Sequence, residues 1–184
     1  LLIKPEKIFF LCGYKKKKIF NKFHNKKINN TTFKCIGENK LLGTGGALER
    51  SKKIITNNTL LCNGDTYFDF DFKKLKKINL TSNVMCMIIV KNNLYRSNKK
   101  LSGIRVNNKK IIYDEKSKYM NSGFYIISKK ILNYLSKGKK SLENDILPKI
   151  IKEKKCIGLK TDKKHLDIGT IKNFNLFKKI SKNL

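Results

Sequence analysis

With 184 residues, 40% of them hydrophobic and 10% aromatic, the chain can bury a core and is not an intrinsically disordered sequence. Its 43 basic residues against 13 acidic ones give a formal charge of +30. Only Arg50, Arg96 and Arg105 among those cations are arginine, the side chain best suited to phosphate and base contacts. Lysine, asparagine and isoleucine dominate throughout, and their codons are rich in A and T. A genome of low GC content accounts for the charge, so no specific nucleic acid partner is expected. The longest apolar run, 84–90, is far short of the ~18–20 residues of a membrane span, so no membrane partner is expected either.

Strand-like and helix-like segments alternate along the chain, which predicts an α/β fold. Residues 8–12 read as a buried strand ended by Gly13, followed by a helix over 15–23. A half-buried strand at 32–36 precedes a glycine-rich turn and a helix over 47–55. Strands are predicted at 59–63 and 84–90, with a helical stretch at 72–78 between them. A hairpin joins 101–106 to 111–113 across Asn107-Asn108, and a strand follows at 123–127. Helices are predicted at 129–136 and 142–153, then a strand at 156–159 leading to His165-Leu166-Asp167, and a last helix over 170–181 capped by Thr170. Only Pro5 and Pro148 break the chain and no linker is marked, so one domain over 1–184 is expected.

Cys12, Cys35, Cys62, Cys86 and Cys156 are scattered, and neither His24 nor His165 stands at zinc-ligand spacing to them. Cys12, Cys62 and Cys86 lie in apolar runs and read as small hydrophobes. An odd count, with no basic front or cleavage site at the start, points to the cytoplasm.

Four stretches could carry chemistry. In Leu42-Gly43-Thr44-Gly45-Gly46-Ala47-Leu48, glycines open a helix and let backbone N–H groups approach an anion; the alternative is an ordinary loop entering a helix. In Asn63-Gly64-Asp65-Thr66, an aspartate follows a buried strand at the edge where open α/β sheets bind ligands, and Gly64 leaves room for a ligand; the alternative is a solvated turn. Asp167-Ile168-Gly169-Thr170 repeats that placement. Two such carboxylates suit Mg²⁺, which takes one or two protein carboxylates and completes its shell with water and phosphate. Glu115, Lys116 and Asn121 would form a polar set for a sugar phosphate, or simply a solvated hairpin end.

Taken in this order, the stretches 42–48, 62–68, Glu115-Lys116, 121–125, 141–148 and 167–170 resemble the sugar-phosphate nucleotidyltransferases. They are most similar to the branch that includes heptose and mannose 1-phosphate guanylyltransferases. The resemblance covers nearly the whole chain. It implies a Rossmann-like three-layer α/β sandwich with a mostly parallel mixed sheet. The implied reaction joins a nucleoside triphosphate, here GTP, to a sugar 1-phosphate, giving a nucleotide sugar and pyrophosphate. Carried over by motif, Asp65 and Asp167 would be the catalytic residues that hold Mg²⁺. Gly43, Gly45, Gly46 and Gly64 would serve the nucleotide, Gly45 and Gly46 lying against base and ribose. Glu115 would take sugar hydroxyls, Lys116 the sugar phosphate, and Asn121 would help line the sugar pocket. Nothing before Ile8 resembles the family's glycine-rich loop with its Arg and Lys. The chain is therefore expected to begin just after that loop and to have little activity by itself, either as a truncated enzyme or as a noncatalytic relative that binds nucleotide sugars. Ser117 stands where relatives often have Pro, and the 115–121 stretch is short, which leaves the sugar open.

Overall fold

The structure is a computed structural model and describes residues 4–91 and 103–182. The contacts group into two compact units. One is drawn from 1–56 and 129–150, the other from 57–128 and 151–184.

In the first unit, strand β1 (Lys7–Cys12) leads through helix α1 (Lys16–Phe23) and the short β2 (Lys27–Ile28) to β3 (Thr31–Gly37). The apolar, aromatic-rich run at 8–11 favours a strand, and Lys15, at φ 52°, turns the chain into α1. β1 and β3 pair in parallel from Lys7↔Thr32 to Cys12↔Gly37, and β2 pairs antiparallel with the other edge of β3. Phe10, Phe23 and Phe33 pack as a trio with ring centroids 5.2–6.0 Å apart, which fastens α1 to the sheet. Helix α2 (Gly43–Arg50) begins at the glycines themselves, four residues ahead of the predicted start, and runs into a 3₁₀ turn at Lys52–Ile54.

The later part of this unit holds a 3₁₀ segment at Lys129–Tyr134. The helix predicted over 142–153 is instead a π-helical turn, Leu142–Ile146, followed by the short α3 (Leu147–Lys152), along which the chain passes into the second unit. Pro148 accounts for the break: it lacks an N–H, and a helix tolerates proline only in its first turn.

The second unit contains β4 (Thr59–Cys62), β5 (Thr66–Phe68), β6 (Met85–Lys91), β7 (Ile104–Asn107), β8 (Lys110–Tyr113), β9 (Tyr119–Ile127), β10 (Cys156–Thr161), β11 (His165–Asp167) and α4 (Ile171–Ser181), with a 3₁₀ segment at Phe72–Lys77. Six strands form one sheet in the order β4-β9-β6-β10-β8-β7. Residues 85–90 are buried on both faces, which explains their unbroken apolar sequence. One face carries Cys86, Ile88 and Val90 into a core with Phe68, Phe70, Phe124 and Ile126.

The hairpin turns at Asn108-Lys109, one residue later than predicted. Both residues have positive φ (44° and 64°), as a two-residue hairpin turn requires. The hairpin's first strand was predicted from 101; residues 101 and 102 lie outside the described residues.

The α/β class and the mixed sheets agree with the sequence. The parallel content is lower than expected: among the described residues the parallel pairs are β1–β3 and β6–β10, because β9 and the β7–β8 hairpin run antiparallel to their neighbours. Also among the described residues, no helix is long and apolar enough to cross a membrane.

Candidate active site

A two-stranded ribbon brings the two aspartates together. β5 and β11 pair antiparallel, with Asp167 opposite Thr66 and His165 opposite Phe68. Asp65 immediately precedes β5 and Asp167 ends β11, so both reach the same end of the ribbon. Ile168 N–H donates to the Asp65 carbonyl (2.8 Å), carrying the ladder one step further. A Cβ on Gly169 would stand 2.9 Å from Asp65 Oδ2 and 3.1 Å from Asp167 Oδ1. The carboxylates therefore converge beside Gly169, where a side chain would displace them.

The ribbon is held from both sides. His165, buried, makes a 2.8 Å hydrogen bond from Nε2 to the Ser122 carbonyl and meets the Phe68 ring edge-on. Tyr67 packs on Phe177 of α4 with centroids 5.1 Å apart. Thr170 caps α4 as predicted, its hydroxyl accepting from Asn173 N–H.

Two exposed or half-exposed carboxylates around an open gap make a hard-oxygen donor set that fits Mg²⁺, with water and phosphate oxygens completing the shell. Among the described residues there is no group of three or more His, Cys, Asp and Glu that could hold a metal.

The loop before Asp65 is fixed by β9. Asn63 N–H donates to the Gly123 carbonyl (3.0 Å), and Gly123 has φ +76°. A Cβ on Gly123 would come within 2.5 Å of the Asn63 amide nitrogen, so both the backbone conformation and the space demand glycine. At Gly64, by contrast, a Cβ would meet nothing within 4 Å.

Glu115 and Lys116 lie exposed in the turn between β8 and β9. Asp114 organises that turn, accepting from Lys116 N–H and pairing with the Arg105 guanidinium at 3.1 Å.

Asn121 is buried. β9 begins at Tyr119, four residues ahead of the predicted strand, and draws Asn121 into the buried interior. Its Oδ1 accepts from Gly123 N–H (2.9 Å) and its amide donates to the Tyr125 hydroxyl. The side chain expected to line a sugar pocket is held by these bonds within the strand.

The glycine-rich turn also corrects its first reading. The N–H groups of Gly45 and Gly46 donate to the Lys140 carbonyl at 2.9 and 3.3 Å, so they are not open for an anion. Both residues are buried. A Cβ would approach Ile146 Cδ1 to 2.6 Å from Gly45 and the Gly138 carbonyl to 2.6 Å from Gly46. Packing requires these glycines; Gly43 and Thr44 are the exposed part of the turn.

Of the cysteines read as small hydrophobes, Cys12 and Cys86 are buried, whereas Cys62 is exposed at the end of β4. Burial, helped by the neighbouring Cys35, pushes the Cys12 thiol up to about 11, and burial pushes Cys86 to about 11.

Sequence reasoning missed β5, too short to show a period, and with it the pairing that joins the aspartates. It also gave no role to Gly169, although a glycine two residues after a candidate ligand is a visible signal.

No protein-family model matches the chain. It is 27% identical over 146 residues to the D-glycero-alpha-D-manno-heptose 1-phosphate guanylyltransferase of Campylobacter jejuni, a match covering 76% of this chain and 63% of that protein. It is 28% identical over 174 residues to the protein of the same name from Aneurinibacillus thermoaerophilus, covering 89% of this chain and 73% of the relative. The chain thus spans less than two-thirds of the first of these proteins. Crystal structures of HddC from Yersinia pseudotuberculosis match with TM-scores of 0.76 and, for its complex with GMP-PN, 0.74. They are 26% identical and cover 97% of this chain and 79% of theirs. The resemblance therefore holds in sequence and in structure: these relatives and neighbours are sugar-phosphate nucleotidyltransferases, and the fold is that of the nucleotide-diphospho-sugar transferases.

Proposed function

We propose that the chain forms the body of a sugar-1-phosphate guanylyltransferase, which converts GTP and a sugar 1-phosphate of the heptose or mannose kind to a GDP-sugar and pyrophosphate. The observation that carries this reading is the convergence of Asp65 and Asp167 on the position a Cβ of Gly169 would occupy. The guanylyltransferase relatives and the HddC complex with GMP-PN support the choice of guanine nucleotide.

In the proposed reaction a phosphate oxygen of the sugar 1-phosphate bonds to the α-phosphorus, the bond from that phosphorus to the β-phosphate oxygen breaks, and pyrophosphate leaves. No group of the protein bonds covalently to substrate, so catalysis is positioning and charge stabilisation. A divalent ion bound between the two aspartates would supply positive charge to the phosphate oxygens. The ribbon's backbone pairing places Asp65 and Asp167 at one end, and Asp167 Oδ1 accepts from Gly169 N–H at 2.9 Å. Glu115 accepts hydroxyls of the sugar and Lys116 binds its phosphate. Gly43 and Gly64 present exposed backbone to the nucleotide, with Gly45 and Gly46 shaping the turn behind Gly43. The reaction is assigned to the cytoplasm, which the five free cysteines support.

Pyrophosphate release from the protein expressed from its complete reading frame tests the proposal. Asp65→Asn is expected to lower turnover roughly a thousandfold, the upper range for removal of one preorganised electrostatic group, while the melting temperature stays put. Near-normal turnover in that variant refutes the assignment. A panel of nucleoside triphosphates against sugar 1-phosphates identifies the base and the sugar.

A further inference from the structure

We infer that Glu143 is a positioning residue for the nucleotide, acting through Thr44 to hold the glycine-rich turn in its binding conformation. This rests on the assignment of that turn to the nucleotide.

The 140–146 segment and the 42–46 turn, far apart in sequence, are interlocked within the first unit. Lys140 donates its N–H to the Leu42 carbonyl (2.8 Å) and accepts from both Gly45 and Gly46. Thr44 Oγ1 accepts from Leu142 N–H (2.8 Å) and donates to Glu143 Oε2 (2.8 Å). Ser141 repeats the pattern: its hydroxyl accepts from Asn144 N–H (3.1 Å) and donates to the same Glu143 oxygen (3.1 Å). Backbone N–H groups can only donate, so each hydroxyl must send its single proton onward. Both protons end on one carboxylate oxygen. Glu143 is thus the acceptor that completes two chains of hydrogen bonds at once.

The backbone around Glu143 is itself unusual. Leu142–Ile146 is a π-helical turn, a form that occurs mostly as single turns and is frequent at functional sites. Asp145 steadies it by accepting from Ser141 N–H at 2.7 Å. Two of the 13 acidic residues of this chain are spent on one short turn.

The Thr44–Glu143 bond lies on the exposed side of the turn, and the Lys140 carbonyl backs Gly43 so closely that a Cβ there would stand 2.6 Å from it. Glycine loses more conformational freedom on ordering than any other residue. A turn with three glycines that must order when nucleotide arrives would weaken binding; ordering it beforehand removes that cost. Glu143 touches neither reacting atoms nor substrate in this scheme, so its loss should raise KM for the triphosphate and spare kcat.

The test compares wild-type protein, expressed from its complete reading frame, with Glu143→Ala, Glu143→Gln, Thr44→Val and Thr44→Ser. Three readouts are needed: GTP titration by calorimetry, steady-state kinetics, and amide hydrogen exchange at Gly45 and Gly46. Glu143→Ala and Thr44→Val are expected to weaken GTP binding and raise KM five- to thirtyfold, with kcat within twofold, and to speed exchange at both glycines. Glu143→Gln keeps an oxygen acceptor and Thr44→Ser keeps the hydroxyl, so both should stay within about twofold of wild type. Unchanged exchange in Glu143→Ala overturns the clasp. Faster exchange with unchanged GTP affinity overturns its role in binding, as does equal damage by Glu143→Gln and Glu143→Ala. Failure of wild-type protein to bind any nucleoside triphosphate overturns the functional reading itself, and is told apart because the exchange comparison still reports whether the clasp exists.

Discussion

The glycines of the candidate motifs in the two units look alike in the sequence and are there for different reasons. In the first unit, Gly45 and Gly46 are buried and a Cβ on either would collide with atoms 2.6 Å away, so the fold demands them. In the second unit, where the fold likewise demands Gly123, a Cβ at Gly64 would enter open space, and one at Gly169 would meet the two aspartate carboxylates first. The fold would tolerate a side chain at Gly64, and at Gly169 the space is kept clear by the groups assigned to chemistry. Glycine enrichment at a motif is therefore no guide to ligand contact until the surroundings of each Cα are known.

The sharpest break of this comparison would be a harmless change at the packed glycines. Gly45→Ala and Gly46→Ala are expected to destabilise the protein by about 1–3 kcal/mol, the usual cost of overpacking, seen as a lower denaturant midpoint. Gly169→Ala should behave oppositely. The carboxylates can swing away from the new methyl group, so stability changes little, while turnover falls roughly tenfold, or about 1.4 kcal/mol. Gly64→Ala should leave stability within about 0.5 kcal/mol; a rise in KM for GTP without loss of kcat would mark that open space as nucleotide territory. The smallest expected effect concerns the cysteines. At pH 8, iodoacetamide should label Cys62, whose side chain is exposed although its thiol is also pushed up by desolvation, while Cys12 and Cys86 stay protected by burial until the protein is unfolded. Early labelling of Cys12 would contradict the packing of β1.

The long apolar elements were legible in the sequence. The strands at 8–12, 32–36, 59–63 and 84–90 and the last helix appear with ends shifted by a residue or so, because burial writes a continuous pattern over enough positions. Short elements were not: β5 has three residues and β2 two, too few for any period, and both are defined by their partners. At 142–146 helical spacing was read correctly as helical, but the π turn depends on Pro148 and on the side-chain bonds of Ser141, which no periodicity encodes. Both aspartates of the candidate site were visible as residues following strands, and the β5–β11 pairing that unites them was not. The burial of Asn121 was not legible because β9 starts ahead of its apolar run, and Asn121 and Ser122 make their hydrogen bonds within the fold.

The claim on which the account depends is that the two aspartates share one divalent ion. Titrating Mn²⁺, followed by its electron paramagnetic resonance signal, into wild-type protein, Asp65→Asn, Asp167→Asn and the double variant measures this directly. One shared site predicts that each single variant loses at least tenfold in affinity and that the double variant loses little more. Wild-type affinity in either single variant would contradict it.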